Sequence, residues 1–393
     1  MRDVVIAGAN RTAIGKLSGS LATVSAVNLG ATVMNAAVER AGVGGEAVGE
    51  VIMGQVIQAG AGPNPARQAV LEAGFPMTLP AYTVNKVCAS GMKAVALGYM
   101  SIASGEQNVV LAGGMENMSQ APYLLAQARS GYRLGDGVMK DAILNDALED
   151  PTLSCHMGVT AEALAKEFGI DRKAQDAFAA DSQKKAGDAI ASGCFKEEIT
   201  PVVIPQRRGD TIVFDEDEYP RADTTEDVLA KLKPAFQTDG TVTAGNASGI
   251  NDGAAAMVLC AADAVNDLGV TPMARIVSVA SSALAPMRMG LGPVDATQRA
   301  LEKAKLNLAD MGAIELNEAF AAQSLAVIQA LHLDVDCVNV NGGAIALGHP
   351  VGASGARILV SLLHILHVRK LQYGLATLCV GGGQGMAIIV ERL

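Results

Sequence analysis

The chain carries one pattern of segments twice, and that repetition restricts its fold more than any other feature. In the first third, residues 4–7, 50–56 and 108–114 read as short buried strands, and 27–41, 64–74 and the run from Met92 as helices. In the last third, residues 314–320 occupy the place of 51–55, and the run 375–383 ends in glycines as 109–114 does. Asn339-Val340-Asn341 leads to Ala353-Ser354-Gly355 as Val84-Asn85 leads to Ala89-Ser90-Gly91; the two Ala-Ser-Gly triplets lie 264 residues apart, and an apolar helix follows each. Strands alternating with helices predict an α/β fold with a mostly parallel sheet covered on both faces. Duplicating such a unit brings two equivalent helix N-termini to one interface, so the chain reads as two related halves with a catalytic seam between them.

The seam has candidate chemistry on both sides. Cys88 stands where a small, β-favouring run (80–84) turns into an apolar helix (92–100). Unpaired N–H groups and the positive end of the helix dipole point there. That setting predicts a lowered thiol pKa and a nucleophilic thiolate, and Ser90 and Gly91 leave room for an acyl group. A lone cysteine of this kind also packs as a small hydrophobe; the far end of the chain separates the two readings. There His349 stands just before a helix in a glycine-rich loop, where backbone and ligand can approach closely. Cys379 leaves a strand into a run of glycines, a position that strand-end packing explains equally well. Asn317-Glu318-Ala319-Phe320 has side chains suited either to orienting a water or carbonyl or to capping a helix.

Composition narrows the alternatives. A chain of 393 residues, 50% hydrophobic and 18% charged with 43 glycines, suits two or three compact α/β units and not disorder. With no Trp, 3% aromatic residues and a net charge of −10, nothing supports base stacking or a nucleic-acid footprint. The six cysteines contain no C-x-x-C pair, which leaves zinc sites and disulfide frameworks unsupported and points to the cytoplasm. Residues 1–8 read as a first strand and not a signal peptide, and the longest apolar run, 358–368, is too short for a membrane span. Residues 10–16 faintly match a phosphate loop, but Gly8 is wrongly spaced and Leu17 replaces the required hydroxyl. From about 119 to 245 charges become denser, as expected of an insertion on top of the α/β core and a place for substrate contacts.

Taken together, VCASGMKAV around Cys88, NEAF from Asn317, GHPVGASGAR from Gly348 and CVGGGQGMA from Cys379 closely resemble the thiolase family, in particular its short-chain biosynthetic branch, from Arg11 to Leu393. The resemblance implies two duplicated βαβαβαββ halves in a layered α/β/α/β/α core with an inserted loop domain. The divisions are 1–118 plus 250–271 for the N-terminal half, 119–249 for a loop domain that binds CoA and helps oligomerisation, and 272–393 for the C-terminal half. It implies acetyl-CoA C-acetyltransferase activity: reversible Claisen condensation of two acetyl-CoA to acetoacetyl-CoA and CoA through an acetyl-cysteine. Cys88 would take the acetyl group with His349 activating the thiol, and Cys379 would move the proton of the second methyl carbon. One oxyanion site would use His349 with a water held by Asn317; the other, the N–H groups of Cys88 and Gly381. Ser248 would bind pantetheine and Arg221 the nucleotide. His156, Met157, Phe236, Met289, Ala319 and Phe320 would bound a small acyl pocket. Arg207, Arg208, Lys231 and Lys233 could add local positive potential or be plain solvated surface. The thioesters are substrates, and no metal or cofactor is needed. The resemblance further suggests a homotetramer with the insertions between dimers, and two cysteines at one seam suggest a reversible Cys88–Cys379 disulfide. A degradative 3-ketoacyl-CoA thiolase of broader chain length is the nearest rival. A ketosynthase lacks the Cys379-Gly381 motif and the CoA-binding insertion, and a non-catalytic CoA binder would show a broken catalytic position.

Overall fold

The computed structural model describes residues 1–206 and 209–393. The main sheet has eleven strands, nine of them on one continuous path: β1 (Val4–Thr12), β2 (Glu50–Gly54), β3 (Ala81–Val84), β4 (Val109–Asn117), β5 (Asn251–Ala261), β6 (Ala274–Ala283), β7 (Met311–Leu316), β8 (Tyr373–Val380) and β9 (Gln384–Arg392); the short strands Gly15–Lys16 and Ile199–Thr200 pair with β5 and β1 beside it. The first half is ordered β3-β2-β4-β5-β1 and the second β7-β8-β9-β6. Val338, bridged to Ile314, is all that remains of a third strand in the second half. Counted within each half, both follow the order 3-2-4-5-1, so the repeat in the sequence is a repeat of topology. The halves meet along their first strands, where β1 and β6 pair antiparallel at Val5↔Arg275 and Ile6↔Ala274.

The sheet is mixed, not mostly parallel. Parallel pairing holds for β2 with β3 and β4, and for β7 with β8. β5 and β9 run antiparallel to their neighbours. β8 and β9 are joined by Gly381–Gly383 alone, and a turn that short can only reverse the chain, whereas parallel neighbours need a crossover.

Helices make three layers around the two halves. α1 (Ala26–Ala41) and α2 (Pro65–Glu72) cover the outer face of the first half. α3 (Ser90–Ala103) lies on its inner face. The insertion contributes α4 (Met157–Phe168) and α5 (Arg172–Ala191). α6 (Gly292–Ala304) and α7 (Ala321–Leu331) cover the outer face of the second half, and α8 (Val351–Arg369) joins α3 in the centre, packed on strands of both halves. α8 is long and apolar enough to cross a membrane by length and composition, but 83% of its apolar window is buried. It is apolar on every side because sheets flank it on both sides.

The insertion is pinned to the core by Arg11, fully buried at the end of β1. Its Nε donates to Glu198 at 2.6 Å, and its two terminal nitrogens donate to the two Asp217 oxygens at 2.7 and 2.8 Å. Ser361 of α8 donates to the same Glu198 at 3.1 Å. The loop that imperfectly matched a phosphate binder thus holds the protein's own carboxylates.

Candidate active site

Cys88 sits in a turn held under strain. Val87, immediately before it, has φ 48°, a genuine outlier for a β-branched residue. The conformation persists because its polar groups are clamped. Asn85 Oδ1 accepts the Val87 N–H at 2.9 Å; Ser90 Oγ accepts the Lys86 N–H at 2.8 Å and donates to the Val87 carbonyl at 2.6 Å. Strain of this kind collects at functional sites. The thiol itself departs from expectation: burial pushes it up to about 11. The backbone N–H groups of Gly381 and of Cys88 pull the other way, without offsetting the loss of water. The sequence argument weighed the helix terminus and could not weigh burial.

His349 is placed by its neighbours with a defined tautomer. Gly348 precedes it at φ 107°, and a Cβ there would fall 2.5 Å from Asn251 Cγ. The His349 N–H donates to Asn251 Oδ1 at 2.9 Å. Nδ1 lies 2.5 Å from Ser354 Oγ, whose own proton goes to the Pro350 carbonyl at 2.9 Å. Ser354 must therefore accept, so the imidazole proton is on Nδ1 and Nε2 carries the free lone pair. Burial first, then the Arg357 charge, take this imidazole down to about 3, so it is neutral at neutral pH. Nε2 faces Asn317 Nδ2 at 3.5 Å. Asn317 is held by its N–H on the Thr377 carbonyl at 3.0 Å, and its buried Oδ1 has no partner.

Cys379, at the end of β8, is fully buried. Burial and the adjacent Cys88 sulfur both raise its thiol. It shares a hydrophobic cluster with Met157, Met289, Ala319 and Phe320, with Phe236 packed against them. His156 stacks on Phe236 at 4.6 Å, and Phe236 meets Phe320 edge-on at 6.0 Å. The Met157 methyl and Val87 both lie over Gly381: a Cβ there would meet them at 2.6 and 3.3 Å. The turn of the first half, the β8–β9 turn and α4 of the insertion thus converge.

Other sequence candidates are placed less centrally. Ser248 donates its N–H to the Ala319 carbonyl at 3.0 Å and so runs beside the Asn317–Phe320 motif. Arg221 is exposed, its guanidinium 5.7 Å from the Tyr219 ring, apart from the cysteine cluster. Lys231 and Lys233 are exposed, and Arg207 and Arg208 lie outside the described residues. Several roles and residues escaped the sequence reading. His156 also caps α4, its Nδ1 accepting the Gly158 N–H at 2.9 Å. Glu318 points away from the site and accepts from Ser182 Oγ, Asn339 Nδ2 and the Ile345 N–H, fixing the loop behind Asn317. Asn251 carried no signal. Ser354 did: it is the repeat counterpart of Ser90.

Comparison with known proteins agrees with this fold. The family described as "Thiolase, N-terminal domain" matches residues 4–263, and "Thiolase, C-terminal domain" matches 270–392. An acetyl-CoA acetyltransferase of Escherichia coli is 58% identical, with 100% of both chains covered. One from Pseudomonas aeruginosa is 55% identical with the same coverage. The crystal structure of the Bacillus anthracis acetyl-CoA acetyltransferase has a TM-score of 0.98 at 48% identity, over 100% of this chain and 99% of that one. The chain belongs to the thiolase family.

Proposed function

We propose that this protein is an acetyl-CoA C-acetyltransferase that interconverts two acetyl-CoA with acetoacetyl-CoA and CoA through an acetyl group on Cys88. The observation that carries the reading is a convergence: Val87 of the Cys88 turn and Met157 of α4 both lie over Gly381 of the β8–β9 turn, and the Cys88 sulfur is close enough to raise the Cys379 thiol.

In thiolysis, Cys88 Sγ attacks the 3-keto carbonyl of acetoacetyl-CoA as its proton passes to His349 Nε2. The carbon–carbon bond breaks, and the electron pair left on the departing acetyl-CoA takes the proton of the Cys379 thiol. CoA then attacks the acetyl-Cys88 carbonyl as its thiol proton passes to the Cys379 thiolate; the carbon–sulfur bond to Cys88 breaks, the Cys88 sulfur takes back the proton held on His349 Nε2, and acetyl-CoA leaves. Condensation is the reverse, with the Cys379 thiolate removing a methyl proton from acetyl-CoA. Burial of Cys379 serves both directions: the protonated form is the acid of thiolysis, and a thiolate formed there is a strong base. The Cys88 and Gly381 N–H groups are the donors for one thioester oxygen, and His349 with a water on the free Asn317 Oδ1 for the other. Each such donor contributes about 3–4 kcal/mol. The thioester acidifies its own α-carbon, so the reaction asks for no cofactor.

The cluster of Met157, Met289 and Phe320 beside Cys379 favours acetyl over long acyl chains. Ser248 and Arg221 take the pantetheine and nucleotide ends of CoA. A homotetramer is supported by two exposed features: the edge strand β3, unpaired on one side, and the apolar Leu134, Val138 and Met139 of the insertion. Six free cysteines suit a reducing cytoplasm. CoA-dependent thiolysis of acetoacetyl-, 3-ketohexanoyl- and 3-ketodecanoyl-CoA, with Cys88→Ser as control, tests the reading. Activity confined to the shortest substrate is expected; comparable rates on the longer ones would move the protein to the degradative branch.

A further inference from the structure

Glu116, near the end of β4, is a fully buried carboxylate that no step above uses. It accepts three backbone N–H groups: Val56 at 2.9 Å and Ile57 at 3.3 Å, just beyond β2, and Gly352 at 3.0 Å, in the first turn of α8. Every one of these partners is a donor, so the carboxylate ties two loops of the first half to the start of the second-half helix.

The place it holds is the contact between the two catalytic helices. Gly352 lies three residues beyond His349, and Gly91 three beyond Cys88. A Cβ on Gly91 would lie 3.1 Å from the Gly352 carbonyl oxygen and 2.9 Å from Ala356 N, and one on Gly114 of β4 would lie 2.2 Å from that same oxygen. A Cβ on Gly352 would lie 2.6 Å from Glu116 Oε2 and 2.9 Å from Gln55 Cα. The first turn of α8 thus has backbone on three sides, and Glu116 is the side chain that bonds it.

We propose that Glu116 is a positioning residue: by holding the Gly352 N–H it fixes the start of α8, and so the placement of His349 Nε2 relative to the Cys88 turn. This rests on the reading of Cys88 as nucleophile and His349 as base. Burial raises the Glu116 carboxyl to about 8, with its three N–H donors pulling the other way; the geometry is that of an acceptor.

The test is Glu116→Gln in the full-length protein, because an amide offers one accepting oxygen and turns an NH2 toward the donors. Thiolysis kcat per folded protein should fall about ten- to a hundred-fold, the usual cost of a misplacement on the order of 1 Å. KM should stay within about twofold. Alkylation of Cys88 by iodoacetamide, followed by peptide mass spectrometry, should slow in parallel, yet Glu116→Gln should add nothing once His349 is already Ala. A purely structural role would lower Tm and leave both rates unchanged. Unchanged rates in a folded variant, a KM rise in place of the kcat fall, or equal slowing in the His349→Ala background each overturns the proposal. Gly352→Ala presses on the same contact from the other side and takes the same measurements should Glu116→Gln not fold. Wild-type protein inactive on acetoacetyl-CoA would defeat the substrate reading alone, because the alkylation comparison still decides Glu116.

Discussion

Removing the Ser354 hydroxyl should disable the base without dismantling the fold. In Ser354→Ala the His349 Nδ1–H loses the acceptor 2.5 Å away and becomes a buried donor without a partner. Such a group costs about 1–3 kcal/mol. The ring can escape by moving its proton to Nε2, but then it presents an N–H to Asn317 Nδ2 and has no lone pair for the Cys88 proton. Either way the cost falls on the acylation step and corresponds to a fall of about 5- to 150-fold in kcat. The fold should suffer little, because the Pro350 carbonyl still accepts the Ala353 and Ser354 N–H groups at 2.9 Å each. The assay is rapid-quench acetylation of Cys88 by acetyl-CoA together with steady-state thiolysis, on protein whose Tm has been recorded. KM should hold within about twofold, since no CoA contact is touched. A folded variant that acetylates Cys88 at the wild-type rate would refute the tautomer argument.

Cys379→Ala should still form acetyl-Cys88, visible by intact mass, but should not condense or cleave acetoacetyl-CoA; failure to acetylate would reverse the assigned roles. Arg11→Ala strands the Glu198 and Asp217 carboxylates at 2% side-chain exposure or less, and a urea melt should show a loss of about 3–5 kcal/mol; a loss under about 1 kcal/mol would mean that the pair is not what pins the insertion. For His349, the unfolded chain takes its proton near 6.5 and the folded chain only near 3, so the unfolded state binds more protons between these values and stability falls as pH drops from 6.5. His349→Asn should therefore lose about 1.4 kcal/mol less per pH unit than wild type between those values, and superimposable curves of stability against pH would count against it. Because burial raises both thiols, a Cys88–Cys379 disulfide should form faster at pH 9 than at pH 7 under mild oxidant; no 88–379 linked peptide at either pH would remove the idea.

The repeat, and the residues proposed to carry the chemistry, could be read in the sequence because both write themselves locally. Cys88, His349 and Cys379 each stand at the end of an element close to glycines, and Asn317 directly follows a strand, places where short-range pattern is informative. The direction of β5 and β9 was not, since pairing is set by how the chain re-enters after the insertion and by a three-residue turn. The φ of Val87 runs against its own preference, and only the clamps from Asn85 and Ser90 make it tenable. The state of the Cys88 thiol depends on how much protein covers it, a sum over residues distant in sequence. Glu116 and Glu318 read as ordinary charged positions until the fold surrounds them with donors.

The two halves use equivalent parts for different work. Ser90 spends its hydroxyl on two backbone groups and so holds the strained turn of the proposed nucleophile. Ser354, its counterpart, spends one bond on a backbone carbonyl and one on an imidazole, and so sets the tautomer of the proposed base. The difference follows from what precedes each serine: in the second half a side chain with its own N–H fills the position that a backbone N–H fills in the first. On this reading the resting site holds a neutral thiol and a neutral imidazole, both disfavoured as ions by burial. On the same reading an ion pair gains support when a bound carbonyl oxygen takes the N–H groups of Cys88 and Gly381. Acyl transfer is thereby coupled to a bound thioester, and Cys88 without substrate should react slowly with iodoacetamide at pH 7. Fast alkylation of the free enzyme would show that the thiolate exists before the substrate arrives.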